Sequence, residues 1–110
     1  MDVNAHIQTV CDQIVKGFNP EKIILFGSYA YGTPHEDSDV DLLVIMSYQG
    51  SELKKMADVR KSIRSRIPLD VLVKTPEQVR ERVNMEDFFM REIIENGKVL
   101  YEANHASMNT

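Results

Sequence analysis

The stretch of sequence that decides the fold is residues 25–45, "LFGSYAYGTPHEDSDVDLLVI". It begins and ends in apolar runs of the kind that form buried strands. Between these runs stand a Gly-Ser pair at positions 27 and 28 and a polar segment that ends in Asp39 and Asp41. Two carboxylates placed this close at the start of an apolar strand repel each other, and each is costly to bury. We therefore expect a bound cation to compensate their charge.

The composition of the whole chain is that of one small globular domain. It has 110 residues, of which 43% are hydrophobic and 27% charged, and a chain of this size buries about two-thirds of its unfolded surface. We expect a single domain over residues 1–102, followed by a disordered tail over residues 103–110.

Charge and cysteine content narrow the classes of protein to which the chain can belong. A net charge of −4 argues against a general nucleic-acid binder, which normally has a basic surplus. The single cysteine, Cys11, excludes an internal disulfide. Since the apolar runs are too short to cross a bilayer and no secretion signal is recognisable, we expect a cytoplasmic protein that binds neither membranes nor nucleic acid.

Hydrophobic periodicity predicts helices alternating with strands. A first amphipathic helix ends near Gly17, and buried strands are predicted at 22–27, 40–46 and 68–74, with a short final strand in "KVLYE" (98–102). This alternation favours an α/β (α+β) fold, in which helices cover a small mixed sheet. The strand order stays open at this stage.

Capping residues predict where the later helices begin. Thr75, Pro76 and Gln78 form a capping box with proline at the first helical position. We expect Asn84 to cap the last helix, which continues to residue 96. The apolar residues expected to face the interior of that helix are Phe88, Phe89, Ile93 and Ile94.

A basic helix is predicted over residues 53–66, with Ser51 as its N-cap. Its apolar residues at helical spacing are Leu53, Met56, Val59 and Ile63. Its cations are Lys54, Lys55, Arg60, Lys61, Arg64 and Arg66. A solvated helix face is the simpler interpretation of these cations, and a face that docks a partner is the alternative.

Three carboxylates form the candidate catalytic and metal-binding group. Asp39 and Asp41 point to the same side of their strand, about 6–7 Å apart at Cα. Asp70 joins them if the strands at 40–46 and 68–74 are neighbours. An all-oxygen site favours Mg²⁺ or Mn²⁺. The alternatives are a turn residue for Asp39, an edge residue for Asp41 and a lone surface acid for Asp70.

A phosphate site is predicted immediately after the first strand, at Gly27 and Ser28. Glycine allows the backbone to approach a phosphate closely, the serine hydroxyl can donate to it, and the start of a helix exposes backbone N–H groups. A Gly-Ser pair alone is a weak signal. Combined with the acids on the neighbouring strand, it indicates a site for a nucleoside triphosphate bound through its metal.

The motif resembles the signature of the DNA polymerase β-like nucleotidyltransferase superfamily: Gly27-Ser28, ten further residues, then Asp39-Val40-Asp41. The compact chain resembles the minimal nucleotidyltransferase (MNT) branch. The resemblance implies an enzyme in which Asp39, Asp41 and Asp70 hold the metal and catalyse. It also implies that Gly27 and Ser28 bind the phosphates of ATP.

Members of the MNT branch often act as antitoxins beside a helical HEPN-domain ribonuclease toxin. The resemblance implies transfer of AMP from ATP to a tyrosine of such a partner. Transfer to a small molecule and neutralisation of the partner by contact alone are the alternatives. Because one small sheet offers only one wall of a cleft, we expect a partner protein or a second copy of this chain to supply the other wall.

Tyr31 departs from the pattern of the family, in which a basic residue commonly stands at this position. The phenol can stack on a nucleotide base or pack internally. We expect it to pack internally, because its ring is apolar and its hydroxyl is polar.

Overall fold

The computed structural model describes residues 2–35 and 37–103. The elements follow one another in the predicted alternation. In chain order they are α1 (Val3–Phe18), β1 (Lys22–Phe26), α2 (Ser28–Tyr31), β2 (Val40–Ile45), α3 (Glu52–Ser62), β3 (Leu69–Lys74), α4 (Pro76–Asn84), α5 (Phe88–Asn96) and β4 (Lys98–Glu102). Apart from Ala103, the tail expected at 103–110 lies outside the described residues. Within the described ranges, no helix is both long and apolar enough to cross a membrane.

The four strands form one mixed sheet in the order β3-β2-β1-β4. β1 is antiparallel to both of its neighbours, β2 and β4, whereas β2 and β3 run parallel. The mixed sheet covered by helices confirms the predicted fold class. The order also answers the question that the sequence left open, because it makes the second and third strands neighbours and leaves β3 and β4 at the two edges.

Two apolar cores cover the two faces of this sheet. Alternate residues of β1 and β2 pack with α1 and α3 on one face, and the residues between them pack with α4 and α5 on the other. The first core contains Ile23, Leu25, Val40, Leu42 and Val44, among others. The second contains Ile24, Phe26, Leu43, Ile45, Val79, Met90 and Ile93. The period-two pattern of both strands therefore accounts for the layering.

Several helix starts follow the predicted capping. Ser51 accepts a hydrogen bond from the backbone N–H of Lys54 at the start of α3. At the start of α4, Thr75 and Gln78 form the reciprocal capping box, with Pro76 at the first position. α1 ends as expected just after Gly17.

The start of the last helix was predicted wrongly. Asn84 ends α4, and the cap of α5 is Asp87, whose carboxylate accepts from the N–H of Met90. Ile93 is buried as expected, and Met90 is buried beside it, both 1% exposed. Three side chains expected to face inward are instead exposed: Phe88 at 79%, Phe89 at 56% and Ile94 at 40%.

The basic helix is shorter than predicted and packs through fewer apolar residues. α3 ends at Ser62, where the backbone of Ile63 becomes extended, so Arg64 and Arg66 lie beyond the helix. Val59 is fully buried, whereas Leu53, in the first turn of α3, is 76% exposed. Leu53 therefore belongs to the surface and not to the predicted apolar face.

Candidate active site

A cross-strand row brings two of the predicted acids side by side. Asp41 of β2 is in register with Asp70 of β3 and, on its other side, with Phe26 of β1. Directly opposed residues share one face of a sheet, and Val40, which precedes Asp41, is buried on the opposite face. Asp39 lies two residues before Asp41, just ahead of β2. We call Asp39, Asp41 and Asp70 the carboxylate group.

The negative charges of the carboxylate group repel one another. Asp41 is half-buried, whereas Asp39 and Asp70 are exposed. Burial raises the pKa of the Asp41 carboxyl, and the charges of Asp70 and then Asp39 raise it further. Both neighbouring carboxylates therefore repel the charge of Asp41. A cation placed among the three would relieve this repulsion.

The donor chemistry of this group fits a hard divalent cation. Its donors are carboxylate oxygens, which Mg²⁺ and Mn²⁺ prefer. Within residues 2–35 and 37–103, however, no three His, Cys, Asp or Glu side chains are grouped tightly enough to form a ready-made metal site. Exposed Asp39 and Asp70 would have to turn toward Asp41 to share an ion. Metal binding by these residues stays a prediction.

Gly27 packs directly against Asp41. Its backbone has φ 76° and ψ −161°, a conformation that is accessible essentially only to glycine. A β-carbon at this position would overlap Oδ2 of Asp41 and lie 3.1 Å from its Cγ. The turn that follows β1 therefore lies directly against the Asp41 carboxylate. The sequence suggested that the two are close, but it did not show that this contact is what requires a glycine.

Ser28 begins the short helix α2 beside this turn. The N–H groups of Ala30 and Tyr31 both donate to the carbonyl of Gly27, so those of Ser28 and Tyr29 stand at the N-terminal end of the turn. The hydroxyl of Ser28 lies 3.3 Å from the hydroxyl of Ser38. Ser28 is thus fixed between the turn and the loop that leads to the acids.

Ser38, which was not predicted from the sequence, adjoins the candidate site. It is 7% exposed, and its hydroxyl accepts from the backbone N–H of His35 at 2.9 Å while contacting Ser28. Its own N–H donates to the carbonyl of His35. These bonds hold the chain just before Asp39. A serine three residues after a turn residue is the local signal that could have identified it.

The expectation that Tyr31 packs internally was wrong. Its side chain is 44% exposed and lies near Glu92 of α5. Burial of part of the ring and the neighbouring Glu92 carboxylate raise the pKa of the Tyr31 phenol. Stacking on a nucleotide base is the alternative that stays open.

The chain matches known proteins over nearly its whole length. Residues 8–106 match the family described as "Polymerase beta, Nucleotidyltransferase". Among curated proteins, it is 31% identical over 81 residues to "Putative protein adenylyltransferase MJ0604" of Methanocaldococcus jannaschii. That alignment covers 74% of this chain and 78% of the relative.

Solved structures share the fold at low sequence identity. A crystal structure of a "putative nucleotidyltransferase" from Sulfolobus solfataricus is similar with a TM-score of 0.66 and 18% identity, covering 92% of this chain and 81% of that one. A structure described as a toxin-antitoxin with AMP-PNP is similar with a TM-score of 0.56 and 19% identity, covering 93% and 78%.

Proposed function

Because this chain belongs to the polymerase β nucleotidyltransferase family, we propose that it transfers AMP from ATP to a tyrosine hydroxyl of a partner toxin. Nucleotidyl transfer is the reaction of the family, and this chain is a nucleotidyltransferase. The proposal adds the nucleotide, the acceptor and the partner, a toxin of the HEPN class. The chain would then act as an antitoxin that disables its partner by chemical modification.

One observation carries the proposal: the turn at Gly27 is packed against Asp41, which is itself in register with Asp70. A turn suited to phosphates and a pair of carboxylates suited to a metal–nucleotide complex therefore adjoin each other. Phosphoryl groups held at Gly27 and Ser28 would lie beside the carboxylate group. This is the juxtaposition that nucleotidyl transfer requires.

The carboxylate group would hold Mg²⁺ or Mn²⁺ during the reaction. When bound, the ion supplies positive charge next to the phosphates and lowers the pKa of an incoming hydroxyl. The residues that would ligate it are Asp39, Asp41 and Asp70. Asp41 is the central member, because both of the other carboxylates act on its pKa.

The proposed reaction is an in-line substitution at the α-phosphorus of ATP. The acceptor oxygen forms a bond to that phosphorus, and the bond from the phosphorus to the oxygen bridging toward the β-phosphate breaks. Pyrophosphate leaves, and the hydroxyl proton passes to Asp70, the exposed carboxylate of the row. Gly27 and Ser28 hold the phosphates in place throughout.

The shape of the site favours a protein as the acceptor. Asp39 and Asp70 are exposed at one end of a single sheet, and an open surface of this kind does not enclose a small molecule. The similarity to a relative named as a protein adenylyltransferase supports a protein acceptor. The fold shared with a toxin-antitoxin containing AMP-PNP supports a toxin partner and an adenine nucleotide. Consumption of ATP suits a cytoplasmic protein.

The test uses ATP labelled at either the α- or the γ-phosphate. The chain is incubated with Mg²⁺, one of the two labelled nucleotides and the protein encoded by the neighbouring gene. We expect the α-label, and not the γ-label, to appear on a tyrosine of the partner. The doubly substituted Asp39→Ala, Asp41→Ala chain should transfer none, and an Asp12→Ala chain, which loses an exposed acid of α1, should transfer normally.

Two outcomes would contradict the proposal. Label derived from the γ-phosphate would indicate a kinase-type reaction. No label, together with a stable complex that the wild-type and doubly substituted chains form equally well, would indicate an antitoxin that acts by contact alone.

A further inference from the structure

A groove lies along the free edge of the sheet, next to the carboxylate group. It has a volume of about 230 Å³ and runs between α3 and the edge strand β3. The residues around it are Met56, Ala57, Arg60, Leu69, Asp70 and Val71. The groove therefore places Asp70 beside apolar side chains and the positively charged side chain of Arg60.

The backbone of β3 offers unused hydrogen-bonding groups to this groove. The carbonyls of Pro68 and Lys74 accept from β2 and its C-terminal continuation, so even-numbered residues direct their backbone groups toward β2. The backbone N–H and C=O groups of the odd-numbered residues point away from β2, toward the free edge of the sheet. The carbonyl of Val73 accordingly accepts from the Tyr48 hydroxyl. No hydrogen bond within residues 2–35 and 37–103 engages the outward groups of Leu69 or Val71. These groups can pair with an added strand.

We propose that the acceptor binds here as an extended segment that adds a fifth strand to the sheet at β3, with its tyrosine opposite Asp70. The inference rests on the proposed function and states how the enzyme recognises its acceptor. The occupant is a protein segment with a tyrosine flanked by at least one acidic residue.

The register of the sheet determines where the tyrosine would lie. Asp70 directs its backbone groups toward β2, so a residue opposite it on an antiparallel added strand forms a non-hydrogen-bonded pair, in which side chains approach most closely. That side chain would share the face of Asp70 and Asp41. Strands are about 4.8 Å apart, so the tyrosine would lie one strand from Asp70 and two from Asp41, a span better suited to a phenol than to a serine hydroxyl.

The residues on either side of that tyrosine would point to the opposite face, toward α3. There they would meet Met56, Ala57 and Arg60. No carboxylate within residues 2–35 and 37–103 forms an ion pair with Arg60. Lys61 follows it, and Arg64 lies beyond the end of the helix. An acidic side chain beside the tyrosine complements this charge.

The first part of the test uses synthetic heptapeptides with a central tyrosine and ATP labelled at the α-phosphate. One peptide has the sequence Thr-Val-Glu-Tyr-Glu-Val-Thr, a second has lysine in place of both glutamates, and a third is the acidic peptide N-methylated at the two residues that flank tyrosine. We expect kcat/KM for the acidic peptide to exceed that for the basic one roughly fivefold. Loss of the edge hydrogen bonds should lower labelling of the N-methylated peptide about tenfold.

The second part changes the groove in the intact chain. Arg60→Glu should reverse the preference between acidic and basic peptides, and Ala57→Trp should obstruct the groove. Both residues are exposed on α3, so neither change removes a core contact. The matched controls are Arg80→Glu and Ala5→Trp, at exposed positions of α4 and α1 that lie outside the groove.

The protein encoded by the neighbouring gene separates failure of the groove from failure of the reaction. If the wild-type chain labels that protein, and the two groove variants label it about fivefold more slowly or worse, the edge-strand proposal is supported. Equal labelling by the wild-type and groove variants would overturn it and leave the proposed reaction standing. Absence of label on every acceptor would overturn both.

Discussion

The two faces of β2 differ at the end of the strand that carries the candidate site. Toward α1 and α3, the strand contributes Val40, Leu42 and Val44, none more than 2% exposed. Toward α4 and α5, it contributes Leu43 and Ile45, but its first side chain on that face is half-buried Asp41. One strand thus completes a closed core on one face and begins an open, charged site on the other.

A domain of this size thus keeps its stability on one face of the strand and its charged site on the other. Apolar burial contributes about 25 cal/mol per Å², and it is complete on the face toward α1 and α3. On the opposite face, apolar burial is incomplete where Asp41 lies beside Asp70. Mutations on the two faces should therefore separate stability from activity.

The largest effect is expected on the closed face. Leu42→Ala should lower the free energy of unfolding by about 3 kcal/mol, because it leaves a cavity around a side chain that is fully buried. Transfer activity per folded molecule should stay near that of the wild type. Urea unfolding followed by circular dichroism measures the change. Leu53→Ala, at a leucine that is 76% exposed, should cost less than about 0.5 kcal/mol.

Equal costs for the two leucines would contradict this division of the molecule. A specific loss of transfer in the folded Leu42→Ala chain would also contradict it, because the closed face would then take part in the reaction.

The next effect is expected at the glycine turn on the open face. Gly27→Ala places a β-carbon on the Asp41 carboxylate in a backbone conformation with positive φ, so we expect about a hundredfold loss of transfer. Converted from rate to free energy, this loss corresponds to about 2.7 kcal/mol of transition-state stabilisation. Steady-state labelling of the partner measures it.

Gly17→Ala is the matched control for this change. A β-carbon at Gly17 meets nothing within 4 Å, and the residue lies within helix α1. Alanine is favoured over glycine in a helix by up to about 1 kcal/mol. The control should therefore be at least as stable as the wild type and fully active. Similar activity in both glycine variants would contradict the assigned contact between Gly27 and Asp41.

The sequence predicts the features that depend on residues close together along the chain, and it does not predict those that depend on residues far apart. Local chemistry was sufficient for the capping box at Thr75 and for the buried strands. The pairing of Asp41 with Asp70 needed the strand order, which depends on long-range packing. Phe88 and Phe89 were misplaced because they lie in the first turn of a short helix that begins at Phe88, where the apolar pattern does not show which side chains reach the core.

An effect on chemical reactivity, and not on stability or transfer, is expected at Cys11, the only cysteine, which lies in the closed core. Burial, with a smaller contribution from Asp12, raises the pKa of the Cys11 thiol to about 11. The thiolate is the reactive form, so a thiol reagent at pH 8 should label the native chain slowly and the urea-unfolded chain at least about a hundredfold faster. Rapid labelling of the native chain would show that the closed face opens readily.

We expect the carboxylate group to cost stability and to be retained for chemistry. Asp41→Asn tests it, because the amide keeps the shape of the side chain and removes its charge. The raised pKa means that the folded chain holds this proton more tightly than the unfolded chain does. The stability that protonation of Asp41 contributes is therefore fully present below the ordinary pKa of 3.8 and is lost as the pH rises through the raised value.

The decisive measurement compares the wild-type and Asp41→Asn chains for unfolding free energy and AMP transfer in the same preparation. We expect the variant to be more stable at pH 7 by about 1 kcal/mol, to lose this advantage as the pH falls through the raised pKa of Asp41 to its ordinary value of 3.8, and to transfer no AMP. An Asp41→Asn chain that still labels the partner would contradict the account.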